Sequence, residues 1–311
     1  MPHNNQTESD KIDLNSALSK TLAIVLAGGR GSRLKQLTDL RSKPAIPIAG
    51  KFKIIDFPLS NCINSGIRRI AVVTQYRSHT LNQHVQRGWN FLQSDFNEFI
   101  ELWPAQQQTA DESWYQGTAD AVYQNLTMIG DVNPDYILVL AGDHVYKQDY
   151  SVMLREHIKK GADISVACIE VSVEEARDFG VIGVDDDENI VTFVEKPDNP
   201  PTIPGKPERS LASMGIYIFN AEMLSKGLAI DAFNTHSTHD FGKDIIPSSI
   251  GSHKIVAHPF SRSSIKNENY EEPYWRDVGT LTAYWEANMD LTKLIPRLDL
   301  YDDSWPIRTV H

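Results

Sequence analysis

The apolar run TLAIVLA at 21–27 constrains the fold most, because a strand with this sequence would be buried on both of its faces. Such strands are typical of parallel sheets that helices cover on both sides. The runs RRIAVVTQY (68–76), YILVLAGDHVY (136–146) and DISVACIEV (163–171) repeat the pattern, with segments of helical periodicity between them. The alternation predicts an α/β fold in which a doubly wound, mostly parallel sheet carries helices on both faces.

Local signals predict where several other elements begin and end. Residues 78–92 have helical spacing with Ser78 as a candidate N-cap, and 116–130 are predicted as one helix that begins near Thr118. Thr280 is a candidate cap for the last helix. The segment GVIGVDDDENIVTFVEKP (180–197) predicts a hairpin that turns at DDDEN. The strand–helix alternation therefore gives way to a hairpin in the second half of the chain.

Composition excludes several classes of function. The chain has 311 residues, a net charge of −11 and a pI near 5.4, which argues against binding to bulk nucleic acid. The first 20 residues are polar, and no apolar stretch approaches the ~20 residues of a membrane span. Cys62 and Cys168 are isolated, so neither a disulfide framework nor a zinc site is expected. These features predict a reduced, cytoplasmic protein without a membrane anchor.

The segment LAGGRGSRLKQLTDLRSKP (26–44) follows the first predicted strand and concentrates glycines and cations. Open α/β sheets bind ligands at the carboxyl ends of their strands, and glycine-rich backbone can approach phosphates closely. Arg30, Arg33 and Lys43 add positive charge. The spacing matches neither G-x-x-x-x-G-K-[ST] nor G-x-G-x-x-G, and a glycine-rich turn alone is equally compatible with a structural role. The segment is therefore a candidate phosphate-binding loop.

Two aspartates complete the candidate site. Asp143 follows an apolar strand and Asp277 precedes the last helix, and each alone is also compatible with a turn or helix-start residue. Brought together near phosphates, they would hold Mg²⁺. Glu195 and Lys196, in FVEKP, are by themselves compatible with a surface ion pair. Taken together, the glycines, acids and cations predict nucleotidyl transfer, in which positioning and charge neutralisation supply most of the catalysis.

Longer motifs carry a family resemblance. LAGGRGSRLKQLTDLRSKPA resembles the signature loop of sugar-1-phosphate nucleotidyltransferases. Over residues 20–308 the chain resembles bacterial glucose-1-phosphate adenylyltransferases. The runs that carry this likeness are IIDFPLSNCINSGIRRIAVVTQY (54–76), WYQGTADAVYQN (114–125), LAGDHVYKQDY (140–150), THDFGKD (238–244) and PYWRDVGTLTAYWEANMDL (273–291). The resemblance implies a Rossmann-like nucleotidyltransferase sheet. It also implies a Mg²⁺-dependent reaction of ATP with α-D-glucose 1-phosphate that gives ADP-glucose and pyrophosphate and supplies glycogen or another α-glucan.

The resemblance also implies roles for individual residues. ATP would be held by Leu26, Ala27, Gly28, Gly29, Gly31, Arg33, Lys43, Gln75, Gly117 and Thr118. Glucose 1-phosphate would be held by Tyr115, Gly180, Glu195, Lys196 and Ser213, with Lys196 on its phosphate and Glu195 on its hydroxyl groups. The catalytic residues would be Arg33, Lys43, Asp143 and Asp277, of which the two aspartates bind Mg²⁺. Gln75 and Trp114 would couple effector binding to catalysis, and His144 is expected to be structural.

The sequence departs from the family pattern at positions that the family uses for regulation. Members that sugar phosphates activate strongly carry a lysine where this chain has Leu40, just before Arg41. A nearby histidine and a nearby arginine are replaced by Pro47 and Lys53. A neutral branched side chain cannot bind a phosphate. We therefore expect weaker activation by fructose 1,6-bisphosphate and weaker inhibition by AMP, or a different small-molecule effector.

Domain organisation is an expectation of the same resemblance. The family forms homotetramers and carries a C-terminal left-handed β-helix domain. We expect residues 1–19 to be a flexible leader, residues 20–295 to be the catalytic domain, and residues 296–311 to begin a linker to a β-helix domain absent from this chain.

Other functions stay open at this stage. A member of the same superfamily could use UTP or dTTP, because the sequence indicates which base the pocket binds only through resemblance. A non-catalytic regulatory subunit would lack loop cations or a metal aspartate, whereas Arg33, Lys43, Asp143 and Asp277 are all present. A pure nucleotide-binding module would leave the candidate sugar-site residues unexplained.

Overall fold

The computed structural model describes residues 13–29, 31–75, 78–105 and 115–310. The predictions for Arg30, for Trp114 and for most of the leader lie outside these residues. The strands are β1 (Thr21–Leu26), β2 (Pro47–Ile48), β3 (Phe52–Lys53), β4 (Arg69–Thr74), β5 (Phe99–Pro104), β6 (Tyr136–Ala141), β7 (His144–Tyr146), β8 (Ile164–Ser172), β9 (Gly180–Val184), β10 (Ile190–Glu195), β11 (Arg209–Asn220), β12 (Ile255–Pro259) and β13 (Trp275–Asp277). The helices are α1 (Leu14–Ser19), α2 (Asp56–Asn64), α3 (His79–Gly88), α4 (Thr118–Tyr123), α5 (Leu126–Val132), α6 (Tyr150–Lys160), α7 (Val173–Ala176), α8 (Ala221–Asp231), α9 (Ile246–Ser249) and α10 (Leu281–Asp290). Shorter 3₁₀ turns and a π-helical turn at Phe241–Ile245 connect them.

One large sheet organises the described residues. Its strand order is β10-β9-β11-β6-β1-β4-β5, and β8 pairs with both β11 and β12. Val25 at the centre of β1 lies opposite Val72 of β4 and Leu140 of β6, and both pairings are parallel. The predicted α/β fold with its doubly wound sheet is thus confirmed. The second half of the sheet is mixed, because β11 runs antiparallel to β6, β8 and β9.

The sheet separates two hydrophobic cores. Side chains of a strand alternate between faces, so Ala23 and Val25 of β1 enter one core while Leu22 and Ile24 enter the other. Helices α2, α3 and α6 cover the first core, and α4, α5 and α8 cover the second. This double cover explains why every residue of β1 after Thr21 is apolar.

A third core joins distant parts of the chain at the carboxyl edge of β1. Leu34 and Ile46, from the segment after β1, are fully buried with Tyr274 and Val278 from the segment around β13. Burial of this apolar surface fixes the glycine-rich segment against the segment that carries Asp277.

Two predictions about helices are wrong in detail. Ser78 precedes α3, but it has helical backbone angles, and within the described residues its side chain makes no capping bond to the helix. Its Oγ instead lies 3.3 Å from Asn82 Nδ2, which donates to it. The segment 116–130 forms α4 and α5 rather than one helix, because the chain leaves helical geometry at Asn125. Thr280 is confirmed as a cap, since its Oγ1 accepts from Ala283 N–H at 3.1 Å.

Cys62 and Cys168 are both free thiols in the buried cores, and burial raises the pKa of Cys168 to about 12. Over the part of the chain that the structure describes, no helix has both the length and the apolar character needed to span a membrane.

Candidate active site

A cavity of about 1280 Å³ opens at the carboxyl ends of β1, β4 and β6. Parallel strands end on the same edge of the sheet, so the loops that follow them face one space. Gly28 and Gly29 follow β1, Gln75 follows β4, and Asp143 follows β6, and all of them line the cavity. The predicted location of the site, at this edge of the sheet, is where the structure has its large cavity.

The glycine-rich segment needs its glycines because other parts of the chain approach it closely. A Cβ added to Gly28 would lie 3.2 Å from Gln75 Cβ. Gly31 has a φ of 62°, and a Cβ there would lie 3.1 Å from Lys43 Cβ. The segment therefore runs close to the residue after β4 and to Lys43, and its Gly28 and Gly29 line the cavity.

Lys43 joins two aspartates that are distant in the sequence. Its Nζ lies 2.7 Å from Asp143 Oδ2 and 2.9 Å from Asp277 Oδ1, and only 8% of its side chain is exposed. Burial opposes the charged form, but the two carboxylates outweigh burial and raise the pKa of Lys43 above its ordinary value. Burial likewise acts to raise the pKa of Asp143, but His144 and Lys43 outweigh it and lower that pKa.

Pairing of β13 with β7 brings the aspartates together. Asp277 stands opposite His144 in this short antiparallel ladder, directly beside Asp143. Ligand atoms of Asp143, His144 and Asp277 lie within 4.8 Å of one another. Two carboxylates that converge on one point are the hard oxygen donors that a divalent cation prefers. One buried ammonium offsets only part of their charge. The donor set therefore fits a divalent metal ion.

Another part of the cavity lining carries the residues predicted for the sugar phosphate. Glu195 ends β10, and burial, with the nearby charge of Asp240, raises the pKa of its carboxyl group. Gly180 leaves no room for a side chain, since a Cβ there would lie 2.7 Å from the Phe193 ring and 2.8 Å from Glu195 Oε2. Lys196 has a φ of 49°, an uncommon conformation of the kind that clusters at functional sites.

Ser213 and Tyr115 complete this side. Gly215 N–H donates to Ser213 Oγ at 3.3 Å, and Asn125 Nδ2 lies 3.3 Å from Tyr115 OH. The break between α4 and α5 places Asn125 where it can also donate to Ala121 O at 2.7 Å. Burial raises the pKa of Tyr115, so its hydroxyl stays protonated and can donate a hydrogen bond.

Comparison with known proteins shows the family of this chain. A family model described as nucleotidyl transferase matches residues 22–294. A glucose-1-phosphate adenylyltransferase of Rhodospirillum rubrum is 62% identical over 299 residues, which are 96% of this chain and 71% of that relative. The chain belongs to the glucose-1-phosphate adenylyltransferase family. Adenylyltransferases with the same name from Paramagnetospirillum magneticum and Dechloromonas aromatica are 61% and 58% identical, over 96% and 97% of this chain and 70% and 68% of their own lengths.

Most of the residues predicted from the adenylyltransferase resemblance line the one cavity described above. They are Leu26, Gly28, Gly29, Arg33, Lys43, Gln75, Tyr115, Gly117, Thr118, Asp143, Gly180, Glu195, Lys196, Ser213 and Asp277. Ala27 is buried behind the loop, where its N–H donates to Val73 O at 2.8 Å. Gly31 packs behind Lys43. These two positions shape the adenylyltransferase loop without facing the cavity.

The cavity also has lining residues that the sequence analysis did not assign. Asp240, Tyr217 and Trp275 line it beside the sugar-side residues. Trp275 packs edge-on against His144, with ring centroids 5.0 Å apart. The motifs THDFGKD and PYWRDVGT contain Asp240 and Trp275, so their sequence context was a usable signal. Tyr217 lies within the apolar strand β11, where its pattern is indistinguishable from that of a core residue.

Proposed function

We propose that this chain transfers an adenylyl group from ATP to α-D-glucose 1-phosphate, giving ADP-glucose and pyrophosphate, for the synthesis of glycogen or another α-glucan. The observation that carries the proposal is the contact of Lys43 with both Asp143 and Asp277 inside a cavity that also holds the glycine-rich loop. Cations and acids converge there on a space large enough for a nucleotide and a sugar phosphate. Relatives that bear the adenylyltransferase name support the choice of substrates.

The nucleotide would lie over the glycine-rich loop. Gly28 and Gly29 line the cavity, and their backbone N–H groups would hold the phosphates of ATP. Arg33 and Lys43 line the same wall and would neutralise the departing pyrophosphate. Thr118 and Gly117, at the start of α4, also line the cavity and would contact the nucleotide.

Glucose 1-phosphate would occupy the side formed by Glu195, Lys196 and Ser213. Lys196 would pair with its phosphate and Glu195 would accept hydrogen bonds from its hydroxyl groups. A phosphate oxygen of the sugar phosphate attacks the α-phosphorus of ATP in line, and the bond from that phosphorus to the pyrophosphate oxygen breaks. Because both reactants are anions, the cations of the site must offset their repulsion before they can meet.

Asp143 and Asp277 would hold Mg²⁺ as the divalent ion. When bound, this ion would neutralise phosphate charge and orient the phosphate oxygens. Secondary structure positions the two carboxylates. Pairing of β13 with β7 holds Asp277, and the turn after β6 holds Asp143. Lys43 would move from bridging the carboxylates to contacting phosphate.

Regulation and assembly are further parts of the proposal. Leu40 is 78% exposed and neutral, which supports a weakened response to fructose 1,6-bisphosphate and AMP, or a different small-molecule effector. Gln75 touches Gly28 within the proposed nucleotide site and would couple effector binding to catalysis. Homotetramer formation and a cytoplasmic location are proposed from the family resemblance. Light scattering after size-exclusion chromatography tests the assembly.

Pyrophosphate release from ATP and glucose 1-phosphate with Mg²⁺ tests the proposed function. We expect release from the unmodified chain and a loss of at least about 100-fold in Asp143→Asn, which removes one metal carboxylate without changing its size. Asp131→Asn, at an exposed position of α5, is the matched control and should retain activity. Release with UTP or dTTP in place of ATP would reassign the nucleotide. A folded chain without release would favour the regulatory-subunit alternative.

A further inference from the structure

A short loop at residues 237–240 is held by hydrogen bonds to Asp231, a residue that does not line the cavity. This loop is the last part of the segment 232–240, which connects α8 to the π-helical turn Phe241–Ile245. His239 Nδ1 donates to Asp231 Oδ2 at 2.8 Å, and Ser237 Oγ donates to Asp231 Oδ1 at 2.6 Å. The side chains of His239 and Asp231 are only 13% and 12% exposed. The last residue of α8 therefore fixes this loop through two hydrogen bonds shielded from solvent.

The loop adopts an uncommon backbone conformation at its centre. His239 has a φ of 55°, in the left-handed region that residues with a side chain rarely adopt. Its N–H donates to Ser237 Oγ at 2.9 Å, which continues the connection to Asp231. Conformations of this kind persist only where the surrounding structure determines them. The contact of the imidazole with Asp231 supplies such a determinant.

The carbonyl groups of this loop meet the start of α4. Ala119 N–H donates to His239 O at 2.8 Å. A Cβ added to Gly117 would lie 2.2 Å from His239 O and 2.4 Å from Thr238 O. The loop therefore covers Gly117 at a distance that only glycine permits. Gly117 and Thr118 line the cavity on the side proposed for ATP.

The next residue connects the same loop to the sugar side. Asp240 lines the cavity, and its Oδ2 accepts from Thr118 Oγ1 at 2.9 Å. Phe241 N–H donates to the same hydroxyl at 3.0 Å. Gly242 follows, and a Cβ there would lie 3.2 Å from Glu195 Oε2. Residues 237–242 are thus bonded to Asp231 at one end and lie next to Glu195 of the proposed sugar-phosphate site at the other. Between these ends they contact the start of α4, which is proposed to bind ATP.

We propose that the Asp231–His239 pair is a positioning device that sets the distance between the ATP side and the glucose 1-phosphate side of the cavity. The inference rests on the proposed function. Neither side chain is among the described residues that line the cavity, so the pair acts through the backbone of residues 238–240. Loss of the pair allows the loop to relax, and both walls of the cavity then move away from their substrates.

Three substitutions at His239 test this role. His239→Ala removes the imidazole and keeps a strained backbone. His239→Gly removes the imidazole but tolerates the left-handed φ. We therefore expect this variant to fold even if the strained backbone prevents His239→Ala from folding. His239→Asn also tolerates this φ and keeps a side-chain N–H donor. We expect KM for both substrates to rise about tenfold in His239→Ala, equivalent to about 1.4 kcal/mol per substrate, with a smaller change in kcat. We expect His239→Gly to raise both KM values as well, and His239→Asn to restore part of the affinity.

Two further measurements separate positioning from general stability. His236→Ala, at an exposed position just before this loop, is the matched control and should leave KM unchanged. Calorimetric titration with ATP gives an affinity that requires no turnover, and it should weaken in Asp231→Ala as in His239→Ala. If melting temperatures fall while KM and ATP affinity stay unchanged, the positioning role is wrong. If the unmodified chain binds ATP but shows no turnover, the proposed function fails while the ATP titration still decides the positioning role.

Discussion

Lys43 and Asp277 lie 234 positions apart in the sequence, yet Lys43 Nζ is 2.9 Å from Asp277 Oδ1. The same ammonium contacts Asp143 Oδ2 at 2.7 Å. Three charged groups from three segments therefore share one point at the edge of the sheet. Lys43 depends on both aspartates, because an ammonium that is buried alone is strongly destabilised.

Replacement of Lys43 by glutamine should affect both catalysis and stability. The variant leaves Asp143 and Asp277 without their shared cation, so we expect kcat to fall by about 100-fold or more. We also expect a lower melting temperature without metal and a larger stabilisation by added Mg²⁺ than in the unmodified chain, because the ion replaces the lost charge. Differential scanning fluorimetry with and without Mg²⁺ measures this. Equal Mg²⁺ effects in both proteins would contradict the proposed metal site.

Gly117→Ala, at the residue before α4, should be far more damaging than an alanine at a glycine within a helix. The new Cβ would lie 2.2 Å from His239 O, a backbone atom that cannot move without shifting the loop. We expect a loss of about 1–3 kcal/mol in the free energy of unfolding and a rise in KM for ATP. Gly130→Ala in α5 is the matched control, since nothing lies within 4 Å of its added Cβ. That control should stabilise the protein by about 0.5–1 kcal/mol. Urea titration compares the two, and similar effects would show that the close approach is not real.

Glu188 should contribute to stability at neutral pH and lose that contribution in acid. Hydrogen bonds from Arg262, with another from Lys160, lower the pKa of Glu188 from 4.5 to about 2. Since the folded-state pKa is the lower one, the contribution is complete above about pH 4.5 and disappears as the pH falls through about 2. Solvent screens this pair, so we expect Glu188→Gln to lower the free energy of unfolding at pH 7 by about 0.5–1 kcal/mol.

Urea unfolding at several pH values between 7 and 2 checks this prediction. The difference between the unmodified protein and Glu188→Gln should shrink as the solution becomes acidic. Asp186→Asn, at an exposed position of the same hairpin turn, should not change the pH profile. A difference that stays constant with pH would mean that the ion pair does not account for the effect.

Leu40→Lys should increase the response to fructose 1,6-bisphosphate. Leu40 is 78% exposed, so a lysine there reaches solvent without disturbing the core and adds a cation beside Arg41. We expect the concentration for half-maximal activation to fall by at least about fivefold, the effect of about 1 kcal/mol. Leu294→Lys, at a position that is 99% exposed, controls for added charge. Strong activation of the unmodified chain by this compound would contradict the expected loss of response.

The sequence alone determined those features that depend on neighbours within a few residues. The apolar runs around β1, β4 and β6 predict buried parallel strands, because strands covered on both faces are mostly apolar. Gly28 and Asp143 follow such strands, so their place at the carboxyl edge of the sheet, and with it the cavity, could be predicted. The cap at Thr280 is equally local, since it depends on one hydroxyl and one N–H three residues away.

Tertiary structure decided the features that depend on contacts between distant segments. A strand pattern does not predict which strands pair or whether they pair parallel or antiparallel. The antiparallel pairing of β11 within the sheet was therefore not predicted. The contact of Thr118 with Asp240 spans 122 positions. The hydrogen bond between His239 and Asp231 corresponds to no periodic pattern in the sequence. Such contacts form only because burial of the surrounding cores brings these segments together, and packing of this kind is a property of the whole chain rather than of any motif.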